Sequence, residues 1–187
     1  MTKEEWWSKY DSKELCKFHS DQFTKWWDPD LFDWRDSWAL AKYCSDYFDV
    51  WWDPDKFDWK DSWALAQYCS KHFDKWWDPM KFDWKHDSDI LAENCSDYFD
   101  IWWDAEKYNW EVNSWDLIKY CTKYFDIWWD PEKFNWKDEK DKLTKYCSSK
   151  FTNLQLKQLL LHSNKLAREF AIEELQRREN VRNNYCI

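Results

Sequence analysis

The chain has 187 residues, 44% of them hydrophobic, with 37 acidic against 28 basic side chains and a formal net charge of −9. That apolar share separates it from a disordered acidic tail, and the acidity excludes a partner bound through phosphates or an anionic membrane surface, which needs clustered Lys and Arg. It contains no Gly, so Gly-rich phosphate cradles and dinucleotide fingerprints are excluded too.

The N-terminus, Met1 to Trp7, lacks the long apolar segment of a secretory leader. No run approaches the roughly 18 apolar residues of a membrane span. Residues 1–11 are expected to form an N-terminal cap segment.

An internal period then takes over. Trp-Trp recurs at 26–27, 51–52, 76–77, 102–103 and 128–129, and a Cys column at 44, 69, 95, 121 and 147 keeps the same spacing of 25 or 26. Blocks run over 12–36, 37–61, 62–87, 88–113 and 114–139, with a sixth starting at Lys140 and running into the tail. In the first block His19 occupies the Cys column, and Cys16 falls in the column of Ala41 and Ala66.

Each block reads as two short helices. Ser37, Ser62, Ser88 and Ser114 are placed to N-cap a first helix such as 38–44, and Ser45, Ser70, Ser96, Thr122 and Ser148 to cap a second. Along that second helix Tyr47, Phe48, Trp51 and Trp52 make an apolar stripe, with Asp46, Asp49 and the position of Val50 and Lys75 outside it. Asp53-Pro54 and its counterparts at 28, 78 and 130 open a tight turn, Asp104-Ala105 being the departure. From 148 aliphatics replace Trp (Leu154, Leu156, Leu159, Leu160, Leu161), and Ser163-Asn164 breaks the chain before a last helix bearing Leu166, Phe170 and Leu175.

The expected fold is all-α: a right-handed α-solenoid of five to six two-helix repeats over 12–150, closed by capping helices over 151–187, all one continuous domain. The stretch LAKYCSDYFDVWWDPDKFDWKDSWALAQYC resembles the leucine-rich-variant and HEAT-like helical repeat families across about 12–150, with aromatics replacing the usual aliphatics. The resemblance implies stacked helix pairs and a binding role for the exposed layer. Some leucine-rich-variant proteins carry a cysteine-bound iron–sulfur cluster, but the clustered cysteine motif is missing here, so no cofactor is expected.

The seven Cys form no CxxC pair. Equivalent residues in stacked helices lie about 8–10 Å apart, too far for a disulfide or a shared zinc ion. The column therefore reads as small buried packing residues, His19 being tolerated where no repeat precedes it, and the free thiols point to the cytoplasm. Asp33, Asp58 and Asp83 alternate with Asn109 and Asn135, so the position wants an oxygen acceptor for a turn and not a metal-binding charge. His19, His72, His86 and His162 share no spacing with a nucleophile. No catalytic residue, metal or cofactor is assigned, and the chain is read as a non-enzyme.

Adjacent Trp point about 100° apart on a helix, which places one ring of each pair inside its block and the other between blocks. A second possibility is an exposed ladder of Trp38, Trp63 and Trp115, interrupted by Asp89. With Asp46, Asp49, Asp74, Asp97, Asp100 and Asp126, these form the candidate binding surface. Three functions fit. The first is a protein-binding scaffold, its oligomeric state open with a monomer favoured, whose acidic surface meets a basic partner. The second is a phage-type anti-CRISPR or anti-defence inhibitor seated in a nucleic-acid channel. Its weakness is density: residues 1–150 net −11 over roughly 60 Å, against one charge per about 1.7 Å in duplex DNA. The third is carbohydrate binding by exposed Trp.

Overall fold

The structure, a computed structural model, describes residues 1–184. It is all-helical, with no strand among the described residues, and none of its helices is long and apolar enough to cross a membrane. The chain divides into two compact units, Met1–Tyr98 and Phe99 onward.

In the first unit α1 (Lys3–Lys9) and α2 (Ser12–His19) each start in a capping box, Thr2 with Glu5 and Asp11 with Glu14. The repeat then sets in. Its first helices are α2, α4 (Ser37–Tyr43), α6 (Ser62–Tyr68) and α8 (Trp84–Asn94), and each packs on the next. Its second helices are single turns, α3 (Phe23–Trp26), α5 (Phe48–Trp51) and α7 (Phe73–Trp76), each entered through a 3-10 turn such as Ser45–Tyr47. The second unit continues the pattern in α9 (Phe99–Trp102), α10 (Trp110–Tyr120), α11 (Phe125–Trp128) and α12 (Trp136–Cys147), then α13 (Asn153–Leu159) and α14 (Lys165–Asn184).

Composition explains both helix types. In α4 the run Ala39-Leu40-Ala41 is completely buried, because the helix is sandwiched between α2 and α6, and Ala lets backbones approach. The second helix stops after one turn, where Trp52 turns extended before Asp53-Pro54. Asp53 Oδ1 then accepts from the Asp55 N–H, and Phe57 N–H closes on Asp53 O. The same turn survives without proline at Asp104-Ala105, where Glu106 N–H bonds Asp104 Oδ1; the carboxylate, more than the ring, makes the bend.

Three local expectations are corrected. Ser37 and Ser62 are not N-caps: they are the first residues of α4 and α6 and are wholly buried. The hydroxyl of Ser37 accepts from Asp58 N–H at 3.1 Å and donates to Asp61, which also accepts from Trp38 N–H. Ser62 does the same with Asp83 and Asp87, Ser12 accepts from Asp33 N–H, and Ser114, inside α10, accepts from Asn135 N–H. In these four blocks the last residues thus return to fasten the first helix. Ser45 and Ser70 stand one place inside their 3-10 turns, the Cys column taking the cap position, while Thr122 donates back to Ile118 O.

The Trp pairs are corrected in part. The first Trp of each pair is 0–1% exposed, and its ring N–H reaches back seven residues, from Trp51 to Cys44 O and from Trp76 to Cys69 O at 2.9 Å. The second Trp stacks on the Phe of its own block, Trp52 on Phe48 at 5.2 Å, and meets Trp59 edge-on. Between blocks the stacked rings are Phe23 with Tyr47, Phe48 with His72, Phe73 with Tyr98 and Phe99 with Tyr124, at 4.4–4.6 Å, while Trp129, the second Trp of its pair, meets Phe151 of the following block edge-on at 4.9 Å.

The third correction concerns His19, which is covered after all, by the rings of Trp6 and Tyr10 from the α1 segment. At the other end, α14 buries Ala167, Phe170 and Ala171, with Phe170 against Phe151 and Trp136. Of the tail aliphatics, Leu156 and Leu159 are buried whereas Leu154 and Leu161 are exposed.

Candidate binding surface

The first-helix face carries the Trp candidates. Trp38 and Trp63 are half-buried, with Tyr43 6.3 Å from Trp38 and Tyr68 6.2 Å from Trp63. Lys42 holds its ammonium 5.3 Å over Tyr43 and 5.7 Å over Tyr68, and Lys13 lies 5.4 Å over Trp38. In the second unit Trp115 meets Tyr146 at 5.4 Å under Lys142. None of these three indoles donates its ring N–H to a described residue. The face is therefore aromatic and cationic, a combination suited to cation–π packing. The tyrosine and lysine columns just before the Cys column were not singled out from sequence, although their recurrence at 42–43, 68, 119–120 and 145–146 was the available signal.

The acidic candidates occupy another element. Asp46 and Asp97 lie in 3-10 turns and Asp49, Asp74, Asp100 and Asp126 on the second helices, all exposed. The structure does not bring them together with the Trp. Lys71 pairs with Asp46 at 3.0 Å and Lys75 with Asp49 at 2.5 Å, and the Lys75 hydrogen bond holds Asp49 below the usual carboxylate range. Asp74, Asp100 and Asp126 have no cation partner among the described residues. Further ion pairs join successive turns, Lys56 to Asp30 and Lys81 to Asp55. The charge is uneven: Met1–Tyr98 carries 22 acids and 13 bases, net −9, and Phe99 onward carries 15 of each.

Buried titratable groups serve the fold. Burial raises Asp61 and Asp87 above the ordinary carboxylate value, partly offset by the donors they accept. Burial also pushes the thiols of Cys69, Cys95 and Cys121 up to about 12 and that of Cys147 to about 11. Cys16 is raised through its hydrogen bond to Cys44 together with burial. All six described cysteines are free and buried, and Cys186 lies outside the described residues. Cys69 and Cys95 donate to Ala41 O and Ala66 O of the preceding block. No group of three His, Cys, Asp or Glu among the described residues is arranged to hold a metal ion.

Comparison of the chain with protein-family models, with curated proteins and with solved structures returned no match.

Proposed function

We propose that the chain is a non-catalytic binding scaffold whose exposed second-helix carboxylates, in each unit by itself, dock a basic protein partner. The observation that carries this reading is the recurrence of Asp74, Asp100 and Asp126 at one register position, exposed and without cation partners among the described residues. Carboxylates so placed serve no helix cap and no turn, and exposed charges of one sign steer an oppositely charged surface. The stacked helices fit the binding role that the resemblance to leucine-rich-variant and HEAT-like repeats implies, and the free thiols fit a cytoplasmic setting.

A fluorescent ten-residue Lys/Arg peptide is the direct probe, with its Glu counterpart as control. Its affinity is expected to fall steeply from 50 to 300 mM salt, and the triple change of Asp74, Asp100 and Asp126 to Lys to weaken it by at least about tenfold. Salt-independent binding, or no loss in the triple variant, would sink the reading. Lysines interleaved at Lys71 and Lys75 count against close imitation of a nucleic-acid backbone by an anti-defence inhibitor. The open ring N–H groups of Trp38 and Trp63 favour carbohydrate stacking as the second reading; quenching of Trp fluorescence by oligosaccharides tests it.

A further inference from the structure

In the second unit the turn after Trp129 and the loop joining α13 to α14 enclose a cleft of about 420 Å³, whose lining includes Trp129, Pro131, Glu132, Gln158, Leu159 and His162. That size lies in the range of small-molecule sites, roughly 300–1,000 Å³. The loop is tied down on all sides: His162 N–H bonds Leu159 O, Arg168 donates to His162 O and Ser163 O, and Asn164 Oδ1 accepts from Leu166 N–H.

His162 is the informative residue. Its side chain is 7% exposed. Nδ1 accepts from the Asn164 N–H at 3.0 Å, which fixes the neutral tautomer with its proton on Nε2. That Nε2 is shut off from solvent and has no hydrogen-bond partner. Glu132 Oε1 stands 3.0 Å away, close enough in distance but off the direction a hydrogen bond requires. A buried donor left open is destabilising, and a molecule accepting from it recovers that loss.

We propose that this cleft binds a small neutral primary carboxamide carried on a planar apolar body. Glu132, 73% exposed, swings off the Nε2 that it now covers at 3.0 Å; the amide oxygen then accepts from His162 Nε2–H, and the amide NH₂ donates to the displaced Glu132 carboxylate. The body packs on the half-buried ring of Trp129 and on Leu159, with Leu161, 88% exposed, at the rim. The same pair of groups sets selectivity. A carboxylate is repelled by Glu132, and an ammonium offers His162 nothing to bond. This site shares no residue with the exposed second-helix carboxylates, so the two readings stand or fall separately.

Three probes with one body separate the possibilities: phenylacetamide, phenylacetate and phenethylammonium, titrated into the full chain while NMR follows the His162 imidazole and Trp129 indole signals. Phenylacetamide is expected to give saturable shifts of both, the charged probes binding at least about tenfold more weakly. His162→Gln keeps a side-chain N–H donor and is expected to retain binding within a few-fold. His162→Phe is expected to lose at least about tenfold, with circular dichroism melts reporting its fold. Glu132→Lys, at an exposed position, is expected to invert the preference toward phenylacetate. No shifts with phenylacetamide, equal affinity for phenylacetate, or an unchanged preference in Glu132→Lys would each overturn the proposal.

Discussion

Asp87 is 7% exposed, yet it is ionisable and accepts from the Ser62 hydroxyl at 2.7 Å and the Trp63 N–H at 2.9 Å. Burial raises its pKa in the folded state, so its contribution to stability is fully present below the ordinary value of 3.8 and is lost as pH rises through the raised one. Asn113 fills the same column, also buried, in the fourth block. Asp87→Asn keeps an acceptor and removes the charge; it is expected to raise the melting temperature at pH 7, with the gain vanishing as pH falls below 3.8. Asp87→Ala orphans both donors and is expected to cost about 1–3 kcal/mol. The thiols offer a second check at this scale. With pKa values pushed to about 11 or 12, they stay protonated and shielded. At pH 8 at most one of the seven cysteines is expected to react with a thiol reagent in the native protein, and all seven after unfolding.

At the level of the helix and turn, the hook between Ser37 and the end of its own block differs from local capping in its reach. Ser37 receives the N–H of a residue 21 positions on, and Asp61 returns across 23 or 24. Ser37→Ala leaves the Asp58 N–H without its acceptor and is expected to destabilise by about 1–3 kcal/mol, measured by urea denaturation; a change under about 0.5 kcal/mol would show solvent taking the serine's place. The same reach explains what sequence reading found and missed. The Trp-Trp and Cys columns disclosed the period, the two-helix block and the Asp-Pro turn, because hydrophobic spacing and turn chemistry are local. Ser37 satisfied a local capping rule equally well, so nothing along the chain revealed that a distant turn would claim its hydroxyl. The tyrosines beside Trp38 and Trp63, five residues along the same helices, were visible as a column but not as neighbours of lysine.

For the molecule as a whole, charge is the property that the two compact units do not share. Met1–Tyr98 holds the entire net −9 while Phe99 onward is neutral. Like charges oppose compactness, and salt screens them over about 8–10 Å at physiological strength. Amide exchange in residues 1–98 is therefore expected to slow between 20 and 300 mM salt, with 99–184 changing far less; equal slowing in both would dissociate stability from this imbalance.

The self-closing hook also bears on heredity. Ser37, Asp58 and Asp61 lie within a single 25-residue stretch, so a tandem duplication of those codons transmits a complete fastener, and a deletion removes one without robbing its neighbours. Copy number is thereby free to drift over generations while every surviving copy keeps its own clasp.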